Sequence, residues 1–515
     1  MDLGVDTIWL SPVYKSPMVD FGYDVSDYKD IDPVFGNMAD FEELLTEAKA
    51  KDLNLLMDFV PNHSSNQHLW FLKSVERIHP YSDYYIWRDP KIENGQRKPP
   101  NNWLSGFRGS AWEWNEKRQQ YYYHMFAVQQ PDLNYRNPAV VEEMKNVLRF
   151  WLDKGVHGFR MDAIPFLFES TSLADEPKAD YWKWFEPTDH DYLNHTLTEN
   201  QPETYSMLYE FRDVLDSYRN RDGRTRFMMT ECYTDLNKMM PYYGNGSRNG
   251  AHFPLNFRLV DRLNRESTAA DFVKTILEWE ATKPADKWSN WFIGNHDQKR
   301  AASRFDAPLI DGLTMLIHLL PGTPITYYGD ELGMEDSFVR WDQTVDPAAL
   351  NVGRKRYKTV SRDFEREPFQ WDASSYAGFT SANHTWLPVN SNYWKVNLAA
   401  QKLNLRSHYN TFRAMAKLRR KLTVLTGSLK VKALSTWQFC VLRSLEGQPT
   451  FILVINLGSD IEMTNLSTVQ PNLPDTLYVY AASENSLQEP GSPVQTSKFL
   501  LRPKQALTLS TIEVY

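Results

Sequence analysis

Cysteine is nearly absent from this sequence, which holds only Cys232 and Cys440 among its 515 residues. The two cysteines fall in regions that we predict to be different domains, so they indicate neither a disulfide framework nor a cysteine zinc site. The sequence is therefore not that of a small protein stabilised by disulfides or by a structural metal.

Long apolar runs and blocks of like charge are lacking as well. No run reaches the roughly 18 apolar residues of a transmembrane helix, and the longest candidate, residues 313–320, is interrupted by His318. The 57 Lys and Arg residues and the 65 Asp and Glu residues give a net charge of −8 without a basic stretch. Because nucleic-acid binding depends on clustered cations, we expect no nucleic-acid partner.

The two ends of the sequence contain neither a basic start with an apolar core nor a hydrophobic tail. We therefore expect the chain, as written, to carry no export signal and no anchor. Asparagine sequons favour a secreted or cell-surface glycoprotein for the full-length protein, although such triplets also occur by chance in a long sequence. The sequons begin at Asn194, Asn245, Asn383 and Asn465.

A short strand that ends in charged residues stands out at 158–164. Lys154 and Gly155 before it form a helix stop, and a buried strand would ordinarily stay apolar to its end. Arg160 and Asp162 are two residues apart, so on a strand their side chains share a face and the cation can hold the carboxylate ionised. An ionised carboxylate can act as a nucleophile. A structural ion pair is the alternative interpretation.

Other apolar runs end in the same way, in acids and histidines. These runs are 53–60 before Asn62 and His63, 226–230 before Glu231, and 291–294 before His296 and Asp297. Parallel strands with polar residues at their carboxyl ends are typical of a (β/α)8 TIM barrel, whose active site lies at those ends. We therefore predict an α/β fold of this class.

These segments resemble the ordered signature regions of the α-amylase family of glycoside hydrolases, and in particular its α-glucosidase (maltase) branch as found in insects. Further matches are residues 4–12, 130–134 and 322–331. Seven matches in the expected order cover nearly the whole chain. The resemblance implies a (β/α)8 barrel with an inserted subdomain.

We predict four segments, and the family pattern sets most of their limits. Residues 1–62 are the first part of the barrel, 63–135 the inserted subdomain, 136–428 the remainder of the barrel, and 429–515 a C-terminal antiparallel β domain. The inserted segment is too long for a simple loop, and the last segment alternates short apolar runs with Gly, Pro, Ser and Asn. The family has another strand upstream of the first strand here, so we expect the first barrel strand to be missing from this chain.

One helix is predicted from its N-terminal signal, because Asn37 and Asp40 form a capping box. The residues that its apolar stripe should bury are Phe41, Leu44, Leu45 and Ala48. A strand is predicted at 324–328, near the end of the barrel.

Hydrolysis with retention of configuration needs one carboxylate that attacks and one carboxylic acid that protonates the leaving oxygen, about 5–5.5 Å apart. Asp162 and Glu231 fit these two roles, on strands that we predict to be adjacent. Glu231 has to carry a proton near neutral pH, whereas Arg160 should keep Asp162 ionised. Asp297 is the third carboxylate, which binds sugar hydroxyls.

The resemblance implies a pocket for the terminal glucose. Its sugar-binding residues are Tyr23, Asp24, His63, Phe126, Arg160, His296 and Arg362. Arg362 is expected to reach Asp24 and close the pocket behind the sugar, which makes the enzyme exo-acting. His63 and His296 would donate to hydroxyls and to developing charge, although a single histidine is more often a core or capping residue.

A metal site is a further expectation. Asn62, Asp132 and Glu169 are hard oxygen donors that suit Ca²⁺ where the inserted segment meets the barrel. A hydrogen-bonded junction without an ion is the alternative, and we expect no organic cofactor.

The main hypothesis is a retaining exo-acting α-glucosidase that releases terminal α-1,4-linked glucose from maltose, sucrose and short maltooligosaccharides. In the family a small residue after the nucleophile, here Ala163, accompanies α-1,4 specificity. The competing class is a non-catalytic binding protein, such as a receptor or an amino-acid-transporter heavy chain. Those heavy chains have a transmembrane helix and frequently lose the catalytic acids, whereas this chain keeps all three. Glycosyl transfer through the same intermediate is a third interpretation.

Overall fold

The computed structural model describes residues 1–470 and 472–513. The chain forms two compact units: the first unit is Asp6–Leu255 with Thr344–Ser361, and the second unit is Met1–Val5, Asn256–Gln343 and Arg362–Tyr515. Over the described ranges, no helix combines the length and the apolar character needed to cross a bilayer. The α-helices are α1 (Met38–Ala50), α2 (Leu69–Val75), α3 (Pro138–Lys154), α4 (Pro202–Asp222), α5 (Leu236–Met239), α6 (Arg258–Asp261), α7 (Ala269–Thr282), α8 (Ala301–Phe305), α9 (Ile310–Leu319), α10 (Pro347–Val352), α11 (Leu398–Leu403), α12 (His408–Arg419) and α13 (Leu422–Thr426).

The first unit is built on a parallel sheet. Its strands are β1 (Thr7–Leu10), β2 (Tyr14–Lys15), β3 (Asp27–Ile31), β4 (Asn54–Phe59), β5 (Trp87–Arg88), β6 (Lys91–Glu93), β7 (Gln96–Lys98), β8 (Trp112–Asn115), β9 (Gln120–Tyr123), β10 (Gly158–Met161), β11 (Phe227–Thr230) and β12 (Phe253–Pro254). Five of them form the parallel sheet, in the order β1-β4-β10-β11-β12. Met161 of β10 pairs with Phe59 of β4 on one side and with Thr230 of β11 on the other. The residues that follow these three strands therefore lie at one edge of the sheet.

The chain between β4 and α3 contains an apolar cluster. Antiparallel strands β5, β9 and β8 form a small sheet, and β6 and β7 form a hairpin. The buried residues of this core are Ile86, Trp103, Ala111, Trp112, Tyr123 and Met125. Phe166, Leu173 and Leu197, which follow α3 in the sequence, also pack against this core.

The helix signals of the sequence are mostly confirmed. Asn37 accepts from the first turn of α1, and Asp40 completes the capping box. Phe41, Leu45 and Ala48 are buried as predicted, but Leu44 is 41% exposed, so that part of the prediction is wrong. The i, i+4 and i+7 positions already fill the inward face of α1, and Leu44 lies beside this stripe.

The helix stop before β10 is also confirmed. Gly155 follows α3 with a φ of 106°, a left-handed conformation that favours glycine. Three residues later, a Cβ on Gly158 would lie 2.1 Å from the Phe227 carbonyl oxygen. A glycine is therefore required for β10 to pair closely with β11.

The second unit contains a parallel pair and an antiparallel sheet. Its strands are β13 (Asn290–Trp291), β14 (Thr323–Pro324), β15 (Ser428–Ala433), β16 (Gln438–Ser444), β17 (Phe451–Asn456), β18 (Glu462–Thr464), β19 (Thr476–Ala482), β20 (Pro493–Gln495), β21 (Phe499–Leu501) and β22 (Ala506–Ser510). Six of them pair in the order β15-β16-β17-β22-β19-β20, and Cys440 is buried in the apolar core beneath them. Both cysteines of the chain are free and buried.

The strand predicted at 324–328 is shorter than expected. It ends as β14 at Pro324, although Ile325 still donates its N–H to the Trp291 carbonyl at 2.8 Å. The chain then turns through Tyr327, whose carbonyl accepts from the Asp330 N–H. The turn ends the ladder because it draws the backbone away from β13.

Candidate active site

A buried arginine binds three carboxyl groups at the edge of the parallel sheet. Arg160 is 1% exposed. Its Nη1 lies 2.9 Å from Asp58 Oδ1 and also contacts Asp162 Oδ1, while its Nη2 lies 2.7 Å from Glu231 Oε1. We call these four residues the Arg160 cluster. The predicted contact between Arg160 and Asp162 is present.

Strand pairing brings the two predicted catalytic acids together. The Asp162 N–H donates to the Phe59 carbonyl at 2.8 Å, and the Glu231 N–H donates to the Met161 carbonyl at 2.9 Å. Both acids thus continue the ladder by one residue beyond their strands. The prediction that they follow adjacent strands is confirmed by the pairing of β10 with β11.

Asp162 and Glu231 influence each other electrostatically. The charge of Glu231 and its hydrogen bond to Asp162 are among the causes that raise the pKa of Asp162, and retaining glycosidases use such a pair of carboxyl groups about 5–5.5 Å apart. Each of the two terminal nitrogens of Arg160 holds one of these acids, so the two carboxyls share one cation.

Burial dominates the electrostatics of the Arg160 cluster. Burial raises the pKa of Asp162 well above its ordinary value; the Arg160 guanidinium opposes this rise, while the Glu231 and Asp58 carboxyls add to it. Burial likewise raises the pKa of Asp58 to about 6, again against the effect of Arg160. The expectation that Arg160 keeps Asp162 ionised stays a prediction: the ion pair with Arg160 lowers the pKa of Asp162, and burial raises it.

Sequence reasoning missed Asp58, which is 1% exposed within β4. Its Oδ2 accepts from the Tyr23 hydroxyl at 2.9 Å, and its carbonyl accepts from the Tyr14 hydroxyl at 2.5 Å. Asp58 pairs directly with Arg160 across the sheet. The sequence does indicate this residue, because a charged side chain in an otherwise apolar strand needs a buried partner.

Ala163 is strained and faces the acid pair. Its φ is 49° and its ψ is 31°, a left-handed conformation that is uncommon for alanine. The conformation directs its N–H to Glu231 Oε2 at 3.1 Å. The backbone after the nucleophile therefore helps to orient the acid.

His63 and Phe126 lie together, as the prediction of a common pocket requires. Their ring centroids are 5.2 Å apart in an edge-to-face arrangement. The His63 ring nitrogens lie 3.2 Å from Asn62 Nδ2 and 3.1 Å from Gln130 Nε2. Burial lowers the pKa of His63 to about 3, so its imidazole is neutral. A neutral imidazole in this position is a hydrogen-bonding group and not a cation.

Asp24 is fully buried and its carboxylate is held by the preceding turn. It accepts from the Ser16 hydroxyl at 3.0 Å and from the N–H groups of Val19 and Asp20 at 2.9 and 3.0 Å. Burial raises the pKa of Asp24, and these backbone hydrogen bonds oppose the rise. Asp24 and Arg362 belong to different units, and their contact stays a prediction.

Asp297 has its own cationic surroundings in the second unit. Its Oδ1 lies 2.8 Å from Arg366 Nη2 and 3.4 Å from Arg362 Nη1, and its Oδ2 lies 3.4 Å from His296 Nε2. Arg366 also donates through Nε to the His296 carbonyl at 2.6 Å. Arg366 was not among the predicted site residues, and its contact with Asp297 makes it a second cation for the same carboxylate.

Two of the predicted metal ligands, Asn62 and Asp132, contact each other in the first unit. Asn62 Nδ2 donates to Asp132 Oδ2 at 3.0 Å, and Asp132 Oδ1 accepts from the Met125 N–H at 2.9 Å. Burial raises the pKa of Asp132, and the neighbouring Glu169 carboxyl adds to this rise. Among the residues that the structure describes, the buried Asn62 Oδ1 and Tyr123 hydroxyl have no hydrogen-bond partner. The unsatisfied oxygen and the two carboxyls fit the donor set of a calcium ion.

Comparisons with known proteins agree with this architecture. The sequence profile of the alpha amylase catalytic domain matches residues 1–427. Maltase A1 of Drosophila melanogaster is 46% identical, over 98% of this chain and 88% of that protein. Salivary alpha-glucosidase of Anopheles gambiae is 43% identical, over 99% and 87%, and an amino acid transporter heavy chain of Rattus norvegicus is 38% identical, over 98% and 72%. The crystal structure of an alpha-glucosyl transfer enzyme, XgtA, matches with a TM-score of 0.86 and 32% identity, over 99% of this chain and 92% of that one.

These findings confirm the fold class predicted from the sequence, a (β/α)8 barrel with a C-terminal antiparallel β domain. The sheet of β1, β4, β10, β11 and β12 supplies parallel barrel strands, and β15 to β22 supply the antiparallel domain. The match covers most of the chain, and several relatives exceed 40% identity. The chain belongs to the alpha-amylase family of glycoside hydrolases.

Proposed function

We propose that the protein is a retaining, exo-acting α-glucosidase that releases terminal α-1,4-linked glucose from maltose, sucrose and short maltooligosaccharides. α-Glucosidase activity is supported by the names of its relatives. The observation that carries the proposal is the position of Asp162 and Glu231 at the ends of paired strands, on opposite nitrogens of Arg160. In this arrangement one carboxyl can attack while its neighbour protonates the leaving oxygen.

In the first step an ionised Asp162 oxygen attacks the anomeric carbon. The bond to the glycosidic oxygen breaks, Glu231 gives its proton to that oxygen, and a covalent glucosyl ester of Asp162 forms. The Arg160 guanidinium is the cation beside both carboxyls. It therefore stabilises the charge that passes from Asp162 to Glu231 during this step.

In the second step Glu231, now a carboxylate, takes a proton from water. The resulting hydroxide oxygen attacks the anomeric carbon, the ester bond to Asp162 breaks, and glucose leaves with its original configuration. A second sugar in place of water would give transfer instead of hydrolysis. The Ala163 N–H, 3.1 Å from Glu231 Oε2, orients the carboxyl in both steps.

We assign the remaining sugar contacts by the family pattern. His63, neutral because of its burial, is suited to hydrogen bonds with sugar hydroxyls, and the Phe126 ring beside it offers an apolar face. The Tyr23 hydroxyl donates to the Asp58 carboxylate, and Asp58 in turn pairs with Arg160. Asp297, with its arginine partners, is the proposed third carboxylate.

The test of this function is hydrolysis of p-nitrophenyl α-glucoside by the purified chain, followed by proton NMR of the first glucose formed. We expect the α-anomer to appear first, because double displacement retains configuration. Initial release of the β-anomer would contradict the mechanism. Absence of turnover, with the protein folded, would instead favour a non-catalytic binding protein like the transporter heavy chain.

We also propose a structural calcium site. Asn62, Asp132 and Glu169 would hold the ion through oxygen atoms, where burial alone would leave two carboxyls and an amide oxygen poorly compensated. A bound ion stabilises the folded state by about 2.7 kcal/mol at a hundredfold excess over Kd. We expect Ca²⁺ to raise the Tm of the wild type and to leave the Tm of Asp132→Asn unchanged. An equal response of both proteins would argue against the site.

We propose a secreted or cell-surface location for the full-length protein. Salivary alpha-glucosidases of Anopheles gambiae and Aedes aegypti are among the relatives, and the sequence carries four sequons. Mass spectrometry of the protein from an insect secretory host would detect glycan at the sequon asparagines. Unmodified asparagines throughout would count against this proposal.

A further inference from the structure

The second unit contains an open cavity of about 680 Å³ that the proposed catalysis does not use. It is formed by Gln343 and by the loop around residues 375–393. The aromatic, amide and imidazole side chains that line it are those of Gln343, Tyr376, Asn383, His384, Trp386 and Tyr393. We call this cavity the Trp386 pocket.

The walls of the Trp386 pocket exclude charged ligands. None of the described residues that line it is Asp, Glu, Lys or Arg. Phosphates and carboxylates are usually bound by cationic side chains, and calcium and magnesium need anionic or carbonyl oxygens. The pocket has the volume of a small-molecule site, so its chemistry points to a neutral ligand.

Exposed aromatic rings narrow the class of ligand further. Trp386 is 49% exposed and Tyr376 is 36% exposed, and amide and imidazole groups from Gln343, Asn383 and His384 surround them. A pyranose ring has the complementary surface, because its C–H groups form a flat apolar face while its hydroxyls radiate from the edge. Aromatic faces with neutral polar groups nearby can bind both parts.

The wall that carries Tyr376 is held in a strained conformation. Tyr376 and Ala377 both have a φ of 55°, in the left-handed region that favours glycine. The N–H groups of Trp371 and Asp372 both donate to the Ala377 carbonyl, at 2.9 and 3.2 Å. The Tyr376 hydroxyl donates to the Asn383 carbonyl. These contacts fix the ring before any ligand binds, which lowers the entropic cost of binding.

We propose that the Trp386 pocket is a second carbohydrate-binding site that takes one or two pyranose rings of a neutral sugar. The sugar could come from a free α-glucan or from an N-linked glycan, since the exposed Asn383 begins a sequon at the edge of the pocket. Both sources present the same ring chemistry. The pocket contains no residue of the Arg160 cluster and neither Asp297 nor Arg362, so the proposal does not depend on catalysis.

The first arm of the test measures free sugar. Full-length protein from bacteria, which lacks N-linked glycan, is saturated with an iminosugar inhibitor and titrated with maltotriose by calorimetry. We expect one site, weakened about tenfold or more in Trp386→Ala because the aromatic face is lost. Trp394→Ala is the matched control, since Trp394 is 67% exposed but does not line the pocket.

The second arm measures attached sugar. Protein from an insect secretory host is digested with peptide N-glycosidase, and release of glycan from Asn383 is followed by mass spectrometry. If the pocket holds this glycan, release is slow in the wild type and fast in Trp386→Ala. Both measurements are repeated with Tyr376→Leu, which removes the aromatic ring but keeps most of the side-chain volume. Thermal melting verifies that each variant is folded.

The two arms together decide the proposal. Maltotriose binding that depends on Trp386 supports a free-sugar site, and protection of the Asn383 glycan that depends on Trp386 supports a glycan site. Maltotriose binding that is unchanged in both pocket variants, or absence of binding together with equal glycan release, would overturn the proposal.

Discussion

The Arg160 cluster and the Trp386 pocket are both proposed to bind sugars, but the side chains of the cluster are charged and those of the pocket are not. The cluster consists of three carboxyls on one buried guanidinium at the ends of paired strands. The pocket has uncharged walls carried by a loop, with aromatic rings open to solvent. Bond cleavage needs charges whose positions are fixed, whereas binding alone needs apolar faces and neutral hydrogen-bonding groups. Neutralising a charge in the Arg160 cluster should therefore abolish turnover. The described residues that line the Trp386 pocket include no Asp, Glu, Lys or Arg to neutralise.

The largest effect is expected for Asp162→Asn. The amide cannot form the glucosyl ester, so kcat should fall by roughly 10⁴-fold or more. Neutralising a buried carboxyl with a raised pKa removes a desolvation cost, so the Tm should not fall greatly. Turnover of p-nitrophenyl α-glucoside and circular dichroism melting measure the two quantities. Substantial activity in this variant would show that Asp162 is not the nucleophile.

A smaller and more selective loss is expected for Glu231→Gln. General acid catalysis contributes roughly 10²–10⁴-fold, and an activated leaving group needs less of it. The loss of kcat/KM should thus be greater on maltose than on p-nitrophenyl α-glucoside. Equal losses on the two substrates would show that Glu231 is not the general acid. The assignment of Asp162 as the nucleophile would not be affected.

Linkage preference should respond to Ala163→Val. One or two methyl groups in such a contact are worth about 1–3 kcal/mol, or roughly tenfold to two-hundredfold. We expect maltose to be preferred by the wild type and the kcat/KM ratio to shift toward isomaltose in the variant. The left-handed conformation of Ala163 makes valine costly for folding, but a ratio measured within one variant cancels that loss. Ala163→Gly, which adds no bulk, is the control, and a ratio unmoved by valine would contradict the assignment.

The smallest effect is expected for Asp58→Asn, measured as a shift in pH dependence. The Asp58 carboxylate raises the pKa of Asp162 and competes for Arg160. Removing its charge should lower the pKa of Asp162. Since catalysis needs ionised Asp162, the acid limb of the kcat/KM profile should then move to lower pH. A limb that stays in place, or moves upward, would show that Asp58 does not act through Asp162.

Much of the first unit could be predicted from sequence because its signals are local. The end of α3 at Gly155, the capping box at Asn37 and the charged end of β10 each depend on residues a few positions apart. Leu44 and the short β14 were predicted wrongly, because burial and strand length depend on the elements packed against them. Asp58 was missed for the same reason, since its partner lies 102 residues away in sequence.

The sequence by itself determined the type of fold and the residue types available for chemistry: parallel strands ending in Asp162, Glu231 and Asp297, with Arg160 two residues before the first. Only the tertiary structure decided that Asp58, Asp162 and Glu231 share one guanidinium, and that burial outweighs this guanidinium in setting the pKa of Asp162. It also brought Gln343 and Trp386 into one cavity. Periodicity and capping act over a few residues and can be read along the chain. Desolvation and ion pairing depend on distances between groups that only folding brings together.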